Sequence, residues 1–275
     1  MQLRELDSMG MEIGSHTVAH ARTFNTMPIG TGDEQYPYYK PRVLAADRTD
    51  SATVLGELGV SKFLLETAIG KTIVSFRPGY LRNPTSLPQA LVASQYKYSS
   101  SFTADNALTH LPLHLNWDRQ PTEETDIFDF PVTIEDEEPP SLMERLPQAL
   151  YIANRLAEYG GLYVVLLHTN VVSPKIDFEH ALLDSLRDRS WFGTVSEFGS
   201  FWAGRAGTSV DVSLNGKERE VTLLLSSATQ GLPVQPPSRW RLVRVEPTSV
   251  STVQVPAGVV VSSPADTVRL YFAVP

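Results

Sequence analysis

The run "LYVVLLH", residues 162–168, constrains this chain most, because of what precedes it. Immediately upstream, "SLMERLPQALYIANRLAEYGG" places Met143, Leu146, Leu150, Ala153 and Leu156 along one helical stripe and ends on glycines. An amphipathic helix that feeds a continuous apolar run too short to be helical predicts a fully buried strand of the parallel type. Such strands need helices on the faces of their sheet, so the unit is expected to be α/β.

The rest of the first two hundred residues keeps this alternation. "LRELDSMG" reads as a helix end closed by Gly10, with "MEIGSH" as a short strand after it. Residues 23–41 are rich in Gly, Pro and Tyr without a clean period and read as a long loop. A helix follows, with Asp50 as the candidate cap, Val54, Leu55 and Leu58 on one face and Gly70 as the stop. Then come a buried strand "TIVSF", a short helix "LPQALVASQ", a strand "IFDFPVTI" and, after residue 168, a helix "DFEHALLDSLRDR". From about residue 209 the chain turns rich in Val, Ser and Thr, and Asn215-Gly216 between alternating runs signals a hairpin. The expected organisation is an α/β domain over residues 1–204 and a small all-β, sandwich-like domain over 209–275.

Composition narrows the function classes. A formal net charge of -8 argues against a nucleic-acid partner, which needs a basic face. The acidic run "IEDEEPP" is read mainly as a contribution to solubility. With no cysteine, disulfides and thiol nucleophiles are excluded. No apolar run reaches the length of a membrane span, and the first residues lack the pattern of a signal peptide. Oligomeric state is not legible from these features.

Two histidines, His16 and His20, lie four apart just after the "MEIGSH" strand. On a helical turn they would project on one side, as two nitrogen ligands of one ion. Spacing alone is weak evidence, since His110 and His114 share it around Pro112. Arg77 follows the strand "TIVSF"; it is either a surface residue or the partner of a catalytic carboxylate. His168 ends "LYVVLL" and is either a core-edge histidine or a general acid/base. The tyrosines Tyr36, Tyr38 and Tyr39 either stack on sugar faces or pack their own loop. Trp191, Phe192, Phe198, Phe201 and Trp202 read most simply as core and interface residues.

Taken in order, "HTVAH", "RPGYL" and "LLH" resemble three motifs of the polysaccharide deacetylase, or NodB-homology, carbohydrate esterases. The resemblance spans roughly residues 1–203 and implies a distorted (β/α) barrel, here partial. It implies His16 and His20 as metal ligands, Arg77 as the residue that orients a base aspartate, and His168 as general acid. It also implies Tyr80 as a groove wall and Leu166 as lining of the acetyl pocket, with Gly79 in place of the family's proline. The motif that tunes the acid histidine is poorly matched; "SSSFTADN" falls in its place and makes Asp105 the candidate.

The family's first motif, a strand ending in Asp-Asp that gives the base and the third metal ligand, has no counterpart: Asp7 lies on the preceding helix. The expectation is therefore an N-terminally truncated deacetylase with weak metal binding and little activity by itself. By resemblance the cofactor is a divalent metal, Zn2+ first and Co2+, Mn2+ or Fe2+ next. The reaction is hydrolysis of acetyl groups on a polysaccharide or oligosaccharide, and the location extracellular or periplasmic. The competing expectation is a non-catalytic carbohydrate-binding or structural module on a degenerate deacetylase scaffold.

Overall fold

The computed structural model describes residues 2–121, 123–216, 219–256 and 258–275. In chain order it contains α1 (Gln2–Ser8), β1 (Arg42–Ala45), β2 (Arg48–Asp50), α2 (Val54–Ile69), β3 (Ser75–Phe76), α3 (Leu87–Ala93), β4 (Tyr98–Ser99) and α4 (Ala104–Ala107). Next are β5 (Leu113–Asn116), β6 (Glu124–Asp129), β7 (Ile134–Glu135), α5 (Leu142–Tyr159), β8 (Val165–Leu166), α6 (Val172–Leu186) and α7 (Val195–Ala206). The last strands are β9 (Ser209–Asn215), β10 (Glu220–Ala228), β11 (Leu232–Val234), β12 (Arg241–Glu246), β13 (Thr252–Val255), β14 (Gly258–Val261) and β15 (Ala265–Ala273). The chain divides into two compact units, one ending at Ser196 and the other running Glu197–Pro275.

In the first unit β3, β4 and β6 pair in parallel, and β5 lies antiparallel on β6. Two isolated parallel bridges, Ser15 to Phe76 and Thr103 to Val132, continue the series, as does the parallel pair β7–β8. The expected strand "MEIGSH" is thus reduced to a single bridge at Ser15. The run 162–168 is not fully buried: Val165 and Leu166 are half-buried and pair with β7 alone among the described residues. A strand paired on one side only, among the described residues, lacks the cover of a central strand.

Helices cover this sheet as the apolar patterns demand. Thr53 caps α2, its hydroxyl accepting from Gly56 N at 3.1 Å, and Gly70 closes the helix at φ 76°. Asp50 is not the cap: it belongs to β2 and pairs with Arg42. The hydroxyl of Thr53, adjacent to the first helical residue, reaches the free N–H groups, which Asp50 is too far back to do. Val54, Leu58, Leu87, Leu91, Phe76 and Phe24 share one core. A second core joins Ala149 and Ala153 of α5 to Phe178 and Leu182 of α6 and Ile134 of β7. Phe178 is fully buried there, which alone stabilises by about 1.5–3 kcal/mol. Ser141 and Glu144 close α5 with a capping box, and Gly160 ends it in the left-handed conformation.

The second unit carries an antiparallel sheet in the order β12-β15-β10-β9 and another in the order β11-β14-β13. Val221, Leu223 and Leu225 of β10, Val268, Leu270 and Phe272 of β15, and Val259 and Val261 of β14 form one core. Burial alternates along β10, the period expected of a strand with one face inward. The expected hairpin is present as the antiparallel pair β9–β10; residues 217 and 218, between the two strands in sequence, lie outside the described residues.

Candidate functional site

The segment 16–20 is not helical. Thr17 and His20 have φ of 69° and 47°, left-handed values that non-glycine residues adopt only when their surroundings impose them. The imposing group is Glu57, whose fully buried carboxylate accepts from Val18 N and Ala19 N, each at 2.8 Å. Its other oxygen accepts from the Tyr39 hydroxyl at 2.9 Å. Ser15 is tied to Ser61 by a hydroxyl pair at 2.6 Å. This anchoring still brings the two imidazoles together, with ring centroids 4.8 Å apart.

His16 Nδ1 lies 2.7 Å from the Arg77 carbonyl oxygen. A carbonyl only accepts, so Nδ1 carries the proton and Nε2 keeps its lone pair. Burial pulls the His16 pKa below its ordinary value; the Arg77 carbonyl opposes this, and the charges of His20, Arg77 and His168 add to it. The ring is therefore neutral near pH 7, as a metal ligand must be. The His20 ring packs on Tyr80 at 4.8 Å and against Gly79. A Cβ at position 79 would lie 2.9 Å from His20 Cδ2, so glycine in this place makes room for the imidazole.

Arg77 is half-buried rather than a surface residue. Its guanidinium donates to the Ser100 carbonyl at 3.1 Å and to the Ser100 hydroxyl at 2.6 Å. Among the described residues no carboxylate lies within ion-pair distance of it. Next to Ser100 in sequence, Ser101 N donates at 2.8 Å to one oxygen of Asp129, which is completely buried and whose other oxygen has no hydrogen-bond partner among the described residues. Burial pushes Asp129 up to about 6 against the hydrogen bonds from Ser101, Ser99 and Phe102 and the charge of Arg77.

His168 follows β8, and its partner is not Asp105. Asp105 is exposed on α4, whereas His168 Nδ1 lies 2.6 Å from Asp136 Oδ1 and His168 N donates to Asp136 Oδ2 at 2.9 Å. The reason is strand pairing: β7 and β8 run in parallel register, Glu135 opposite Leu166, so the residues just past them meet. Burial would raise the Asp136 pKa, but Lys175 and the two His168 hydrogen bonds outweigh it and hold it at about 2. His168 Nε2 remains free of Asp136, with Glu137 Oε1 at 3.7 Å.

A cavity of about 860 Å³ gathers His16, Arg77, Tyr80, Leu166 and His168 in its lining, along with Arg22, Arg82, Glu137 and Glu138. His20 and Asp105 do not line it. Among the described residues no group of three His, Cys, Asp or Glu side chains is placed to hold a metal. Two nitrogens about 2.1 Å from one ion lie at most about 4.2 Å apart, and the ring centroids of His16 and His20 stand 4.8 Å apart. The two histidines do not complete a catalytic site, which takes three protein ligands.

The sequence reading missed Asp136, Glu57 and Lys175. Asp136 lies in the acidic run read as a solubility feature; its position directly after an apolar strand was the available signal. Tyr39 packs its own loop onto Glu57, Tyr36 stacks on Phe63 at 6.1 Å, and Tyr38 is exposed. Trp191 and Phe192 are exposed rather than core. His114 lies on β5 and His110 in a bend, so that pair shares no helical face.

No protein-family model matches the sequence, and no curated protein matches it. Among solved structures, the chain is similar to a Mycobacterium smegmatis protein assigned as a polysaccharide deacetylase. The TM-score is 0.50 at 14% identity, over 74% of this chain and 67% of that one. At that identity the likeness is one of fold alone. No helix among the described residues is long and apolar enough to cross a membrane.

Proposed function

We propose that the first unit is the scaffold of a metal-dependent hydrolase that removes acetyl groups from a polysaccharide or amino-sugar polymer outside the cytoplasm. The observation that carries this is the cavity that unites His16, Arg77, Tyr80, Leu166 and the Asp136-bound His168. The fold likeness to a deacetylase supports it. In this reading His168, protonated, donates from Nε2 to the departing sugar nitrogen or oxygen while Asp136 holds Nδ1–H. Tyr80 and Leu166 flank the sugar and its acetyl group. Arg77 fixes the Ser100 loop and, through its carbonyl, the tautomer of His16. A divalent ion, zinc by preference, would be held by His16 and His20 and would supply Lewis-acid polarisation of an acetyl carbonyl. Hydrolysis also needs a third ligand and a base, and among the described residues no third His, Cys, Asp or Glu joins the two histidines.

One observation favours a second reading, a non-catalytic carbohydrate-binding module: Arg77 has no carboxylate partner among the described residues. Zinc binding and acetate release from acetylated oligosaccharides, measured beside His16→Ala and His168→Ala, separate the two. Weak zinc binding lost in His16→Ala, with slow acetate release lost in His168→Ala, supports the hydrolase. Equal metal content in the chain and in His16→Ala overturns the ligand assignment. Oligosaccharide binding with no acetate release leaves the binding module.

A further inference from the structure

Lys175 lies in the opening turn of α6, where the helix dipole opposes a cation, and its side chain is only 16% exposed. What holds it there is a set of three acceptors for its three protons. Nζ donates to the His168 carbonyl at 2.9 Å and to Asn170 Oδ1 at 2.6 Å, and it pairs with Asp136 Oδ2. The Asp136 side chain, 1% exposed, then has both oxygens committed, Oδ1 to the His168 ring and Oδ2 to His168 N and Lys175. The ammonium thus grips the acceptor of the imidazole and the backbone that carries the imidazole.

We propose that Lys175 is a positioning residue for His168: by clamping Asp136 and the His168 carbonyl together it commits Nδ1–H to Asp136 and leaves Nε2 alone to face the cavity. This rests on the reading of His168 as proton donor, and gives that role its geometry. A ring free to exchange its two nitrogens would present the wrong one to a leaving group part of the time. Arginine does not fit the same three-point grip, because its donors are fixed in a plane.

The test reads the His168 tautomer by long-range 1H–15N spectra of the whole chain at a pH where the ring is neutral. The unaltered chain is expected to show Nδ1–H almost alone. In Lys175→Met the minor tautomer should gain roughly tenfold against it, equivalent to about 1.4 kcal/mol. Unchanged tautomer populations in a folded Lys175→Met chain overturn the proposal. A measurement on the unaltered chain stands beside it in case that variant does not fold. The Lys175 ammonium protons should exchange with water at least roughly tenfold more slowly than those of exposed Lys40. Equal exchange rates at the two lysines also overturn the proposal. Neither readout involves acetate release, so the deacetylase reading and the Lys175 clamp fail or stand separately.

Discussion

Replacing Glu57 removes the acceptor on which the His16–His20 segment hangs. In Glu57→Ala, the Val18 and Ala19 amides lose the oxygen that holds each at 2.8 Å. The Tyr39 hydroxyl can fall back on the Thr53 carbonyl, 3.3 Å away, so it is the lesser loss. A donor left unpaired in a buried site costs about 1–3 kcal/mol, and the two amides together give about 4 kcal/mol. For a unit of this size that lowers the melting temperature by about 8–16 °C. Glu57→Gln should be much milder. Its single carbonyl oxygen can take over both amides, and its NH2 can donate to Tyr39, whose hydroxyl still has Thr53. The loss is then the charge assistance alone, about 1–2 kcal/mol. Thermal and urea unfolding give the magnitudes, and amide hydrogen exchange at Val18 and Ala19 shows where the change acts. If the alanine and glutamine variants lose the same stability, or if exchange at Val18 and Ala19 stays slow in Glu57→Ala, the anchoring argument is wrong.

Two more outcomes follow from the same site. Because the pKa of folded Asp129 lies above its unfolded value, near 6 against 3.8, its stabilisation is fully present below about 3.8 and lost as pH rises through 6. The difference is about 3 kcal/mol, so unfolding free energy should rise between pH 7 and pH 4 by about that much more in the unaltered chain than in Asp129→Asn; parallel profiles would refute it. Gly79→Ala should push His20 aside through its new Cβ and weaken zinc binding at least tenfold by dye competition, with little change in melting temperature; unchanged affinity would show that His20 is not a ligand.

Much of the scaffold was legible because its signals are local. The stripe and glycine stop of α5, Gly70 at the end of α2 and the β9–β10 hairpin each depend on neighbours a few residues apart. Placing Arg77 and His168 at strand ends was legible for the same reason. The conformation of residues 16–20 was not, because a carboxylate about forty residues away, Glu57, overrides the local preference for a helical turn. Asp136 was misassigned to Asp105 because the partner of His168 is fixed by which strands lie side by side, and periodicity carries no record of that. Lys175 looks like any surface lysine of an amphipathic helix until Asp136 is known to stand opposite.

The β7–β8 register has a consequence for how such a chain tolerates change in length. Asp136 and His168 are 32 residues apart in sequence, yet Asp136 directly follows β7 and His168 lies two residues past the end of β8, the strand paired with β7. Residues added at the Gly160 turn would lengthen a loop and leave the pair in place. A single residue inserted between Glu135 and Asp136 would turn the carboxylate to the opposite face of its strand. Insertion tolerance across this segment should therefore be sharply uneven, wide at the helix end and nil at the strand end, a pattern that a library of one-residue insertions would display directly.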